Sequence, residues 1–240
     1  MTHNISLAQR SVDFNNAGVQ CIETGNNRIA WDLFKGALEV KLAIERPGET
    51  NAGIDSYQDS NNYIARAETH LMNLRSSQTP FEYNSQQQEL VTSPRMQSIE
   101  TWEKFSNDNS LYTPFLFTDP IKLGVDANMT ARRESASIIF NLALTEHLKA
   151  RSSEQAISLY EFAMTLIAGE TVDLLGISLM NNIGVWCYEN GDLAGSAKCM
   201  GHLVRFTSAL SSELEQEHRE GLQSNILWLA SPPCTASPAA

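Results

Sequence analysis

Apolar residues recur at helical spacing along most of the chain. Over 9–44 they run through Val12, Val19 and Ile22 and then through Trp31, Phe34, Leu38 and Leu42. The break at Gly25-Asn26-Asn27 is too short to carry the chain away, so the spacing predicts an antiparallel helix pair. A polar, turn-rich stretch over 47–60 follows, and then a helix over 61–74 with Ile64, Ala67, Leu71 and Leu74 on one side. A second hairpin is predicted over 131–169. Its break at Lys149-Ala150-Arg151 leads into Ser152-Ser153-Glu154-Gln155, which fits a capping box. A third spans 173–210, broken at Asn190-Gly191 with Asp192 as N-cap. The final helix covers 212–230, started by Ser212-Glu213-Leu214-Glu215, with Leu214, His218, Leu222, Ile226 and Leu229 as its stripe. Ser231-Pro232-Pro233 stops it, and the tail over 231–240 is expected to be mobile.

Two stretches break the helical pattern. Over 76–96 the chain is rich in Ser, Gln, Thr, Pro and Asn and cannot bury enough apolar surface to offset its ordering entropy, so a disordered insert is expected there. The run Leu111-Tyr112-Thr113-Pro114-Phe115-Leu116-Phe117-Thr118-Asp119-Pro120-Ile121 is aromatic and extended in character. Its two prolines exclude a helix interior and a central strand, which leaves an edge hairpin or, preferred here, an apolar strap across helices.

Self-similarity organises the rest. Asn15-Asn16-Ala17-Gly18-Val19 returns as Asn181-Asn182-Ile183-Gly184-Val185, each followed at the same spacing by Cys and then Gly. The first hairpin carries Phe14, Ala17-Gly18, Cys21, Gly25, Ala30, Phe34 and Ala37. The second carries Phe140, Ala143-Leu144, His147, Ala156, Tyr160 and Ala163, and the third Met180, Ile183-Gly184, Cys187, Gly191, Ser196, Met200 and Leu203. On these positions the chain resembles the tetratricopeptide repeat (TPR), in which small residues let two antiparallel helices approach and an aromatic fills the space beside them. The layout, with an insert between the first copy and Ile139-Phe140-Asn141-Leu142-Ala143-Leu144, also resembles the expanded TPR-like families of diatoms. The implied fold is all-α: one TPR-like stack of helical hairpins over 7–230, with a flexible polar insert and a short aromatic strap.

In TPR domains the first helix of each hairpin lines a concave groove. The resemblance therefore implies a groove of Asn15, Asn16, Val19 and Glu23, then Asn141, Thr145 and Lys149, then Asn181, Asn182, Val185 and Glu189. Asn occupies one repeat position in all three copies, at Asn15, Asn141 and Asn181. A side-chain amide offers two donors and an acceptor, so it can bond the backbone of an extended peptide. The alternative is that these amides bond neighbouring helices or cap loop carbonyls. A carboxylate clamp of the chaperone-binding kind is excluded, because the positions flanking Asn16 and Asn182 carry no cations.

Composition narrows the function classes. Seventeen basic against 28 acidic residues give a net charge of −11, which disfavours nucleic acid and anionic membrane as partners. No apolar run is long enough to span a membrane, and the first residues lack a basic region followed by an apolar stretch, so a cytoplasmic or nuclear protein is expected. Cys21, Cys187, Cys199 and Cys234 form no CxxC pair and have no His at zinc spacing, so reduced core thiols are expected, with no metal and no cofactor. Nucleotide, hydrolase and metalloprotease signatures are absent. His147 takes a core position of the repeat, and the cluster Glu213, Glu215, Glu217, His218, Arg219 and Glu220 reads as a solvated face. The expected function is a protein–protein interaction scaffold offering its groove to a peptide or partner helix, without catalysis. A permanent accessory subunit of a larger complex is the second reading and an enzyme with an unrecognised site the third; the sequence does not set the oligomeric state.

Overall fold

The computed structural model describes residues 6–45, 54–77, 114–124, 129–209 and 214–229, with helix backbone alone at the edges of some of these spans. Among them the chain is all-helical: α1 (Leu7–Glu23), α2 (Asn27–Glu45), α3 (Ile54–Ser77), α4 (Ala131–Lys149), α5 (Glu154–Leu166), α6 (Leu174–Glu189), α7 (Leu193–Ala209) and α8 (Gln216–Leu229). The chain gathers into two compact units. Unit 1 takes Met1–Arg95 and Asp119–Ile167, and unit 2 takes Met96–Thr118 and Ala168–Ala240. The expected disordered insert over 76–96 lies outside the described residues apart from the end of α3, and the tail over 231–240 lies wholly outside them.

In unit 1, α2 packs against α1, α3 and α4, and α4 packs against α5. Its core joins Val12, Phe14, Val19, Leu33, Phe34, Val40, Ala67, Ile138 and Leu142. Helix α4 is buried on every side from Ser135 to Thr145, the pattern of a central helix with neighbours on both flanks. Helix α3 begins at Ile54, seven residues before the predicted start. The sequence over 54–60 contains neither Gly nor Pro, so nothing in it stops the helix from propagating through polar residues. Ile64, Leu71 and Leu74 lie against the core, as their spacing predicts.

In unit 2, α7 packs against α6 and α8, and α6 meets α8. Leu175, Ile177, Leu179, Val185, Met200, Leu203 and Leu222 are buried there. Helix α8 starts at Gln216 rather than 212, with the Glu215 carbonyl accepting the first helical bond from Arg219 N–H. Its buried stripe is His218, Leu222, Asn225 and Leu229, so Asn225 takes a place the apolar pattern assigned to Ile226.

The two units repeat the same helix-ending device. Gly25 sits at φ +76 and Gly191 at φ +82, conformations that favour glycine. Asn26 N–H bonds Cys21 O at 2.7 Å and Gly25 N–H bonds Ile22 O at 2.9 Å. Asp192 N–H bonds Cys187 O at 2.8 Å and Gly191 N–H bonds Tyr188 O at 3.1 Å. Both are Schellman motifs, and each turns the chain at once into the second helix of its pair. Ser153 and Asp173 cap α5 and α6 by accepting from Ala156 N–H and Gly176 N–H. Close approach of the paired helices rests on Gly18 and Gly184: an added Cβ would meet Phe34 Cε1 at 2.6 Å and Met200 Cε at 2.3 Å.

Candidate functional site: an asparagine clamp in each unit

The segment over 114–124 forms neither helix nor strand, so the edge hairpin is not what this run builds. Leu116, Phe117 and Leu123 are nonetheless buried, which takes their backbone polar groups out of bulk water. A helix surface cannot satisfy those groups with its own backbone, because its N–H and C=O groups bond within the helix. Asparagine side chains resolve the conflict, since an amide carries a donor and an acceptor side by side, as a neighbouring strand would.

In unit 1, Ile121 N–H donates to Asn141 Oδ1 at 2.7 Å, and Asn141 Nδ2 returns a bond to Ile121 O at 2.9 Å. Asn15 Nδ2 adds a second bond to the same carbonyl at 2.9 Å. Two residues on, Leu123 N–H donates to Asn16 Oδ1 and Asn16 Nδ2 donates to Leu123 O, both at 2.8 Å. The amides also hold one another. Asn141 Nδ2 donates to Asn15 Oδ1 at 3.0 Å, and Asn15 Nδ2 to Asn16 Oδ1 at 3.2 Å.

Unit 2 repeats this wiring. Phe115 N–H donates to Asn225 Oδ1 at 2.8 Å, while Asn225 Nδ2 and Asn181 Nδ2 donate to Phe115 O at 2.6 and 2.9 Å. Phe117 N–H donates to Asn182 Oδ1, and Asn182 Nδ2 donates to Phe117 O, both at 3.0 Å. Asn225 Nδ2 bonds Asn181 Oδ1 at 2.7 Å and Asn181 Nδ2 bonds Asn182 Oδ1 at 3.3 Å. Asn15, Asn141, Asn181, Asn182 and Asn225 are fully buried, and Asn16 is half-buried.

These amides bond one another across helices, as the structural reading of them expects, and they bond an extended run of backbone. That backbone belongs to the chain itself. The other positions expected to line a groove divide. Glu23 pairs with Lys122 of the segment at 3.2 Å. Val19 and Val185 are buried in the cores of their units. Thr145 spends its hydroxyl on the Asn141 carbonyl of its own helix at 2.8 Å, and Lys149 stands exposed beside Glu146 at 3.7 Å. Glu189 lies half-buried at the end of α6.

Asn225 escaped the sequence reading because it stands outside the three hairpins. The signal was its polarity on the stripe His218, Leu222, Asn225, Leu229. A second signal is Pro114-Phe115-Leu116-Phe117 followed by Pro120-Ile121-Lys122-Leu123, a Pro-Φ-x-Φ pattern (Φ apolar) met twice. Each Φ is a clamped residue. Each Pro fixes an extended φ just before the clamp and removes an N–H that would need a partner.

The side chains around the two clamps differ. In unit 2 the Phe115 and Phe117 rings meet edge to face at 5.0 Å, and the His218 ring lies 5.1 Å from Phe117 and 6.4 Å from Phe115. His218 is 1% exposed, and burial lowers its pKa below the ordinary value of 6.5 against opposing pulls from Glu215 and Glu217. His147 in unit 1 is also buried, edge-on to Tyr160 at 5.8 Å. Burial raises the Cys21 thiol to about 11, which keeps it protonated. Among the described residues no group of three or more His, Cys, Asp and Glu could hold a metal ion, and no helix is long and apolar enough to cross a membrane. No protein-family model, curated protein or solved structure matches the chain.

Proposed function

We propose that this chain is a non-enzymatic protein–protein interaction scaffold built from TPR-like hairpins, whose asparagine amides grip the backbone of an extended peptide. The observation that carries the reading is the pairing of one side-chain amide with both the N–H and the C=O of a single residue, repeated two residues on. Binding through the backbone leaves side chains free to vary, as in strand addition to a sheet edge. In this reading 114–124 is an aromatic strap that fills the amides in cis, and the partner engages by displacing it.

Supporting features are the glycine-mediated close approach within each hairpin and the use of the buried His147 and His218 rings in aromatic packing. The acidic balance supports a protein partner over nucleic acid or anionic membrane. The buried Cys21 thiol, held protonated, supports a reducing, cytoplasmic or nuclear setting.

The test uses the full chain with 114–124 replaced by a Gly/Ser linker of equal length, titrated with a synthetic peptide of residues 114–124. Saturable binding that is lost in an Asn141→Ala/Asn225→Ala version supports the proposal. A folded, helical linker variant that binds no peptide contradicts it.

A further inference from the structure

Backbone clamping alone would accept any extended segment, yet unit 2 surrounds its clamp with a second layer of recognition. We infer that the unit 2 clamp is selective for an extended segment of the form Pro-aromatic-x-aromatic, with Gly221 and His218 as its specificity-determining residues. This rests on the reading of the clamps as peptide sites, and the occupant is a partner segment of that chemistry competing with Phe115–Phe117.

Three observations converge. First, the Phe115 ring lies flat over the backbone of α8 at Gly221: an added Cβ there would stand 2.4 Å from Phe115 Cγ and 2.5 and 2.7 Å from its two Cδ atoms. No other residue type leaves room for a ring at that height. Second, the His218 imidazole, one helical turn before Gly221, lies tilted by 38° against Phe117 and 54° against Phe115. Aromatic pairs at such spacings add attraction beyond their buried area, which an aliphatic side chain cannot supply. Third, Phe117 is 2% exposed, so its position is an enclosed pocket and not an open shelf. The unit 1 clamp holds two aliphatic residues, Ile121 and Leu123, on the same amide wiring. The aromatic preference is thus a property of the α8 surface and not of the asparagines.

The probes are two peptides, one with the sequence of residues 112–119 and one with Leu in place of both Phe, titrated against the full chain whose 114–118 is replaced by a Gly/Ser linker. The inference expects the Leu peptide to bind at least about tenfold more weakly and His218→Ala to shrink that ratio. Equal affinities would overturn the inference while leaving backbone clamping intact. Failure of both peptides to bind a folded chain would overturn the clamp reading and this inference with it. The intact chain gives a measurement that does not depend on the linker variant. Gly221→Ala is expected to raise the unfolding equilibrium constant at least about tenfold, and in a Phe115→Ala background this increase should largely vanish. Additive effects of the two substitutions would show that the ring does not seat on Gly221, and would overturn the inference.

Discussion

Unit 1 and unit 2 solve one problem with the same parts and finish it differently. Each lays an apolar run on helices and satisfies its backbone with three amides: Asn15, Asn16 and Asn141 in one, Asn181, Asn182 and Asn225 in the other. The wiring is the same because backbone polar groups are the same at every residue. The side-chain seats are free to diverge, and they do: aliphatic at Ile121 and Leu123 with a Lys122–Glu23 pair on the outside, aromatic at Phe115 and Phe117 with His218 inside. Within the hairpins the same division recurs, with a stiff phenyl ring over Gly18 and a flexible methionine over Gly184. The amides fix the backbone of each segment, and the surrounding side chains fix the shape and chemistry of the seats beside it.

The largest expected effect is at the shared heart of each clamp. Asn141→Ala should cost about 3 kcal/mol of stability, and Asn225→Ala a similar amount, because each leaves a buried N–H and a neighbouring amide oxygen unpaired and takes one of two donors from a carbonyl. Asn16→Ala, at a half-buried position, should cost about 1 kcal/mol. Urea unfolding of the single variants measures all three, and equal costs at Asn16 and Asn141 would break the proposed ranking.

Next come the glycines. Gly18→Ala forces the Phe34 ring and should cost about 3 kcal/mol, whereas at Gly184 the nearest obstacle is the mobile end of Met200, so about 1 kcal/mol is expected. Thermal melts of the pair would show whether the ring or the crowding itself decides.

Smaller still is a pH effect confined to unit 2. Burial lowers the His218 pKa, so the unfolded chain binds a proton that the folded chain excludes. Stability from this group is complete above about pH 6.5, its ordinary value, and falls as the pH drops through that value toward the lower folded one. His218→Leu should flatten the acid side of a stability–pH profile, and an unchanged slope would contradict the assignment. The mildest prediction concerns thiols: Cys21, held at about 11, should resist a thiol reagent at pH 8 in the folded chain, while half-exposed Cys199 reacts before it.

Much of this was readable in the residues. The helical pairs followed from apolar spacing, and their turns from Gly25 and Gly191, since short-range chemistry decides both. Asn15, Asn141 and Asn181 stood out as polar residues at one repeat position, and their capacity for an extended backbone was evident from the amide itself. That their ligand lies in the same chain was not, because periodicity carries no information about which distant segment meets a helix face. Asn225 was hidden for a related reason: its role depends on a tertiary contact with Phe115, 110 positions away in sequence. The early start of α3 was missed because polar residues without Gly or Pro permit a helix without announcing one. Val19 and Val185 share the register of the groove asparagines, but helix packing turns them into the cores.

Amide hydrogen exchange along 114–124, read residue by residue by NMR, tests the account most directly. Clamping predicts slow exchange at Phe115, Phe117, Ile121 and Leu123, with fast exchange at Thr118 and Lys122 between them, and Asn16→Ala should release Leu123 while Ile121 stays protected. Uniformly fast exchange across the segment would show that the asparagines do not hold its backbone, and the account would fall.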